Sequence, residues 1–277
     1  MIKDITLGQY FPGESPIHKI DARIKIIMAF IAIFSVFLSG NFLSLIFVLL
    51  CLFVLVLISG ISPVTVLKGM KPVVFILLFT TVFQLLFTRT GKLLFEWYFI
   101  KIHLDGIVYS IKMFFRILLL ITSASVLLTY TTSPIVLTDG IEGLLSPLKR
   151  LKVPVHDFAL MMSIALRFIP TLTEETDKIM SAQRARGTDF SSGGLMKMAG
   201  ALVSVFVPLL VSAIRRAEEL STAMICRGYS GGEGRTKLRV MKIRPADIVW
   251  LIISIIALAG AIFLNKYRLP LPEVLYL

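Results

Sequence analysis

The chain has 277 residues, 56% of them hydrophobic and only 17% charged, with a mean hydropathy of +0.86 and a formal net charge of +12. This balance excludes an ordinary water-soluble domain and indicates an integral membrane protein. A positive charge that would suggest nucleic acid in a soluble chain is set here against the excess of Lys and Arg on cytoplasmic loops, and no nucleic-acid partner is expected.

The first 22 residues are polar and turn-rich, so the first helix is expected to be retained rather than cleaved as a leader. Lys19, Arg23 and Lys25 then flank the first apolar run on its N-terminal side, which predicts a cytoplasmic N-terminus. The run from about Ile24 to Ile58 breaks at Ser39, Gly40 and Asn41, predicting two spans joined by a tight turn. Residues 60 to 71, with Lys68, Lys71 and Pro63, and with Pro72 just beyond, predict a basic cytoplasmic loop, followed by a third span from about Val73 to Phe87. The connection over 88 to 104 is mixed polar and aromatic, with Trp97 and Tyr98 suited to the membrane interface, and predicts an outer loop.

A fourth span is predicted from about Gly106 to Tyr130. It carries Lys112 and Arg116 one turn apart. Lys112 reads as snorkelling or packing. Arg116 admits two readings, a structural charge or a functional one within the membrane. Ser133 and Pro134 form a helix start, with serine as N-cap and proline at the first helical position. Residues 134 to 150 are too polar for a span and predict an interfacial helix.

From Val155 the chain is apolar to Leu166, then polar and helical through Arg186. A second apolar segment starts at Leu195 and turns polar in the same way. Phe206, Leu210, Ala213, Ala217, Leu220 and Met224 recur at spacings of four and three, which predicts the seam by which one helix packs along another. Residues 230 to 245 read as a basic, glycine-rich loop, and a fifth span runs from about Ala246 to Leu264. The expected fold is therefore all-α, with about five transmembrane helices. The domains are a membrane domain over 1–130, a cytoplasmic or interfacial domain of long helices over 131–245, and a last span and tail over 246–277.

Both long polar helices close on the form A-x-x-x-R-G, at Ala182-Gln183-Arg184-Ala185-Arg186-Gly187 and at Ala223-Met224-Ile225-Cys226-Arg227-Gly228. Glycine after the last turn supplies a left-handed cap, and arginine complements the negative helix end. Either copy alone is explained as a helix stop. Two copies on polar segments suggest two tips presented together. Catalytic chemistry finds little support: His18, His103 and His156 have no metal-ligand spacing, and no metal is expected. The carboxylates at 174, 175, 218 and 219 sit among arginines and read as partners in interhelical salt bridges. The segment from Ser230 to Lys237 lacks the spacing of a phosphate loop. Cys51 and Cys226 do not suggest a disulfide.

Gly8-Gln9-Tyr10, Ser15-Pro16-Ile17-His18, Asp21-Ala22-Arg23-Ile24-Lys25, Thr132-Ser133-Pro134, Arg167-Phe168-Ile169-Pro170 and the two Arg-Gly endings together resemble the transmembrane T component of energy-coupling factor transporters, the CbiQ and EcfT family. The resemblance implies a non-catalytic prokaryotic plasma-membrane scaffold with a cytoplasmic coupling domain. It implies two ABC-type ATPase partners that bind ATP and Mg, no cofactor on this chain, and a small membrane S component that binds a vitamin or transition-metal ion. It further implies that Ala185, Arg186 and Gly187 dock on one ATPase and Cys226, Arg227 and Gly228 on the other; Cys226 departs from the alanine of the family pattern but is also small. The alternative is a secondary transporter acting alone. That alternative finds only Lys112 and Arg116 as membrane charges and no repeat of spans.

Overall fold

The computed structural model describes residues 10–88, 90–91, 93–97, 100–151, 153–190, 194–231 and 243–266, with the side chains of 95–97, 100, 101, 149 and 195 left aside. The helices are α1 (Ala22–Leu38), α2 (Phe42–Ser59), α3 (Pro63–Phe87), α4 (Leu104–Ala124), α5 (Pro134–Leu145), α6 (Val155–Ala185), α7 (Leu195–Cys226) and α8 (Pro245–Lys266). A π-helical turn, Ser125–Tyr130, extends α4, and a 3-10 turn, Ser146–Leu151, follows α5. An antiparallel hairpin, β1 (Leu93–Trp97) and β2 (Ile100–His103), lies between α3 and α4 and pairs Leu93 with His103 and Trp97 with Ile100. The fold is an all-α membrane protein in which this hairpin is the single sheet among the described residues.

Two compact units divide the chain, one built on Leu144–Val240 and the other on Gly8–Gly143 with Met241–Leu277. In the larger unit α1 packs along α8 and α4, α3 along α4, and α2 along α8. Ile17, Ile20, Ile24, Met28, Ala29 and Leu127 form one buried cluster at the start of α1. Val36, Leu45, Val48, Leu52, Leu119 and Ala261 form another toward its end, and Val56, Val66, Met70, Val126 and Tyr130 a third between α2, α3 and the π-helical turn. Much of the remaining apolar surface faces outward, as at Phe75, which is 76% exposed. Such exposure would be untenable in water and is the ordinary state of a helix whose solvent is lipid.

Six described helical segments are long and apolar enough to cross a membrane: Phe42–Ser59, Pro63–Phe87, Leu104–Tyr130, Val155–Ala185, Met196–Cys226 and Pro245–Lys266. The protein is therefore multi-pass. This set differs from the expected five spans at two places. Helix α1 has 17 residues, which falls just short of the length of the others. Helices α6 and α7 are each continuous, over 31 and 32 residues, so their apolar first halves and polar second halves belong to single rods.

The basic loop expected over 60 to 71 is corrected. Gly60 ends α2 in the left-handed conformation (φ 72°), and Pro63 starts α3 at once. Lys68 and Lys71 are thus exposed helical residues, and α3 runs on through Pro72. Proline removes one backbone bond from a helix interior, and packing of Val66, Met70 and Leu77 on the same rod offsets the loss. The helix start at Pro134 is present. Leu137 N–H donates to the Ser133 carbonyl at 2.9 Å, while the Ser133 hydroxyl lies 3.5 Å from Val136 N, at the outer limit of a capping bond. Close packing explains one glycine of α5: a Cβ on Gly140 would stand 2.8 Å from the Ala22 Cβ of α1. Tyr98, the side chain of Trp97 and most of the basic loop after Ser230 fall outside the described residues.

Ahead of α1, the Phe11 N–H donates to the Tyr130 carbonyl at 3.0 Å. The Nε2–H of His18 donates to the Phe11 carbonyl at 3.0 Å, leaving Nδ1 to accept from the Ser15 hydroxyl at 2.6 Å. Burial, opposed by the bond to Phe11 and reinforced by the charge of Lys25, holds the imidazole below its ordinary value of 6.5. Since the folded pKa is depressed, neutral His18 contributes stability fully above 6.5, and this is lost as pH falls through the lower folded value. Acidification to about pH 5 is expected to speed amide exchange at Phe11 and His18 while the α1–α8 core stays protected. Unchanged exchange at both amides would contradict this.

Candidate functional site

The two A-x-x-x-R-G endings adopt one geometry. At the end of α6, the Gly187 N–H donates to the Arg184 carbonyl at 2.9 Å and the Thr188 N–H reaches back to the Gln183 carbonyl at 3.0 Å. At the end of α7, the Gly228 N–H donates to the Ile225 carbonyl at 2.9 Å and the Tyr229 N–H to the Met224 carbonyl at 3.0 Å. Both are Schellman closures, with Gly187 at φ 88° and Gly228 at φ 80°. No atom lies within 4 Å of a Cβ built at either glycine, so the backbone angle alone requires glycine there.

Substitution separates these causes. Gly187→Val or Gly228→Val is expected to cost about 1–2 kcal/mol at the tip, and asparagine less, because only glycine and asparagine visit this region readily. The readout is amide exchange at Thr188 and Tyr229. Equal protection in the valine and asparagine variants would contradict the assignment.

Arg186 and Arg227 occupy the capping position itself, each just before its glycine. Ala185, Arg186, Gly187, Cys226, Arg227 and Gly228 are all exposed. Each tip therefore presents an exposed guanidinium with five donors beside a small residue and a bare glycine backbone, at a helix end whose dipole is negative. The planar fork of a guanidinium pairs with carbonyl and carboxylate oxygens. Among the described residues, no three His, Cys, Asp or Glu side chains gather into a group that could hold a metal ion.

Helices α6 and α7 pack against each other. An Arg216 Nη donates to a Glu175 carboxylate oxygen at 2.7 Å, and Gln183 Nε2 donates to the Ser204 carbonyl at 3.3 Å. Glu175 is thus an interhelical ion-pair partner, as its setting among arginines suggested. The Arg184 guanidinium lies 5.8 Å over the Phe190 ring, which holds the chain after the first tip against its own helix.

The expected seam of α7 is only partly turned inward. Ala213, Leu220 and Met224 are half-buried, whereas Ala217 is exposed, Phe206 is 61% exposed and Leu210 is 47% exposed. The covered positions are Ala201, Ser204, Val205, Leu209, Ser212, Ala213, Arg216, Leu220 and Met224. The seam in this chain is therefore offset by one residue in the first half of α7, toward the face that carries Arg216 to Glu175.

In the larger unit, Arg116 Nη2 donates to the Ser39 carbonyl at the α1–α2 turn, and Lys112 is buried on the same helix. The same turn is held from α8. The Asn265 carboxamide oxygen accepts from Gly40 N at 3.0 Å and Asn41 N at 3.1 Å, and its amide donates to the Leu38 carbonyl at 3.1 Å. At the opposite end of α1, Lys25 and Asp247 are each only 2% exposed. From the sequence Lys25 is one of three cations of the basic flank before the first span, and Asp247 and Asn265 stand in no motif. The one available signal was the placement of Asp247 two residues after Pro245, where a carboxylate can cap its own helix.

Comparison with known proteins bears on these features. Residues 13–238 match the family model of CbiQ, described as cobalt transport protein. A protein of Ruminiclostridium cellulolyticum named energy-coupling factor transporter transmembrane protein EcfT is 47% identical over 265 residues, covering 96% of this chain and 98% of that protein. The protein of the same name from Bacillus subtilis is also 47% identical over 265 residues, covering 95% and 98%. That from Exiguobacterium sibiricum is 48% identical over 252 residues, covering 91% and 95%. The matched span contains both Schellman-closed tips, the N-terminal segment that buries Lys25 and most of the membrane helices, and the chain belongs to the CbiQ and EcfT family of transmembrane transport proteins.

Proposed function

We propose that this chain is the energy-coupling scaffold of an energy-coupling factor importer, in which two ABC-type ATPase subunits seat on the tips of α6 and α7. ATP and Mg bind to those partners, and this chain carries no cofactor and hydrolyses nothing. Movement of the ATPases displaces the two stiff helices, and the membrane unit passes the displacement to a small S component that has bound a vitamin or transition-metal ion. The observation that carries this reading is the repetition of one Schellman closure at two separate helix ends, each with exposed Arg and Gly. A helix that needed only a stop could use any of several caps. Two identical, exposed ends suit two copies of similar grooves.

On this reading the basic flank before α1 and the coupling segment over 131–245 face the cytoplasm, and the interior stays reduced around Cys51 and the exposed Cys226. Helices α6 and α7, though long and apolar enough to span, act as coupling rods whose apolar first halves contact the bilayer and partner helices. The outward-facing Phe206 and Leu210 are then available to that partner surface.

The test is purification of the tagged chain from native membranes with identification of every stoichiometric companion. Two ATP-binding subunits and at least one small membrane protein are expected. A chain that purifies alone and catalyses ion-driven uptake in vesicles would replace this reading with that of a secondary transporter.

A further inference from the structure

Lys25 is the most deeply buried cation among the described residues. Its ammonium donates to the Thr131 carbonyl at 2.7 Å, the Thr132 hydroxyl oxygen at 3.2 Å and the His18 carbonyl at 3.3 Å. All three donors are used, and every acceptor is neutral. Asp247, equally buried, accepts from Arg244 N at 2.7 Å and from Asp21 N at 3.3 Å. One short N-terminal segment, His18 to Lys25, therefore holds two remote stretches of chain: the Thr131–Thr132 turn ahead of α5 and the first turn of α8.

Those two stretches are the flanks of the inserted unit. The chain leaves the larger unit after Gly143, at the end of the helix that Thr131 and Thr132 precede, and returns at Met241, just ahead of Arg244. Described residues on the larger-unit side of both connections, Thr131 and Thr132 ahead of α5 and Arg244 ahead of α8, are thus fastened to α1 and α8, which pack along each other. Burying a lysine is costly, and an apolar residue would join the same elements with less desolvation. A buried, hydrogen-bonded charge instead fixes one geometry, since any displacement leaves donors or acceptors unpaired.

We propose that Lys25 and Asp247 are positioning residues for coupling: they lock both connections of the tip-bearing unit to the α1–α8 pair, so that displacement arriving along either one reaches the membrane helices as a single movement. This rests on the scaffold reading above. It acts through the connections and involves no contact of Lys25 or Asp247 with substrate or nucleotide.

The experiment compares the parent chain with Lys25→Met, Asp247→Asn and the milder Thr132→Val, each as the full complex with both ATPase subunits and the S component in liposomes. Amide exchange is read at Thr131–Ser133 and at Asp247–Val249, together with substrate imported per ATP hydrolysed. Exchange is expected to rise about tenfold at both connections together, and import per ATP to fall by a similar factor while ATPase association is retained. Exchange that rises at one connection or at neither overturns the proposal, as does parent-level import per ATP in all variants. Should Lys25→Met fail to accumulate, Thr132→Val, which removes one acceptor without changing side-chain size, decides the same comparison. A parent chain that associates with no ATPase overturns the scaffold reading itself, an outcome distinct from ATPase-bound variants whose import per ATP is unchanged.

Discussion

Replacing both Arg186 and Arg227 by alanine is expected to abolish uptake by the assembled transporter while leaving the amount of this chain in the membrane unchanged. Each guanidinium is exposed at a helix tip and makes no contribution to its own Schellman closure, which uses backbone groups alone. Truncation should therefore spare folding. In an occupied groove, loss of charge-assisted hydrogen bonds from one arginine costs about 2 kcal/mol, or roughly thirtyfold in association. The single variants are expected to bind ATPase about thirtyfold more weakly, and the double variant below detection. Lysine at either position keeps the charge but not the planar fork, and should fall between arginine and alanine. Normal uptake by the double variant would remove the tips from the mechanism. Loss of the chain from the membrane would instead make the arginines structural.

The second large effect is expected at the α1–α2 turn of the larger unit. Asn265→Leu leaves the Gly40 and Asn41 amides and the Leu38 carbonyl without their partners at the α1–α2 turn. Unpaired backbone groups cost about 1–3 kcal/mol each when shielded from water, so a loss of about 2–4 kcal/mol is expected for this partly buried turn. Thermal unfolding of the purified chain in detergent checks the value. Arg116→Met acts on the neighbouring Ser39 carbonyl, and the two substitutions together should cost less than their sum because they loosen one turn. This contact favours the structural reading of Arg116. Arg116→Met that leaves thermal stability untouched but stops uptake would restore the functional one.

Local chemistry was what the sequence displayed best. The Ser39–Asn41 break, the Ser133–Pro134 start and the two glycine-closed tips each depend on a few adjacent residues, and each is found where those residues stand. The phase of α7 was not legible in the same way. In a helix meant for lipid and for partners, Phe206 and Leu210 are as apolar as Val205 and Leu209, so hydrophobic period does not say which face turns inward. The ion pair of Arg216 with Glu175, formed across two helices, tells the faces apart. Pro72 misled for a related reason: proline marks a boundary in a soluble helix, but tertiary packing carries α3 through it. Lys25 and Asn265 were hidden because Thr131 and Thr132, and Gly40 and Asn41, lie more than 100 residues from them in the chain.

The central claim is that the two tips touch ATPases, and site-specific photo-crosslinking in native membranes tests it most directly. A crosslinking side chain placed at Thr188 or at Tyr229, one residue beyond each glycine, leaves both arginines and both closures in place. Adducts to an ATP-binding subunit are expected from each position, abolished by alanine at the adjacent arginine. Adducts to lipid or to this chain alone from both positions, in membranes that still import substrate, would contradict it.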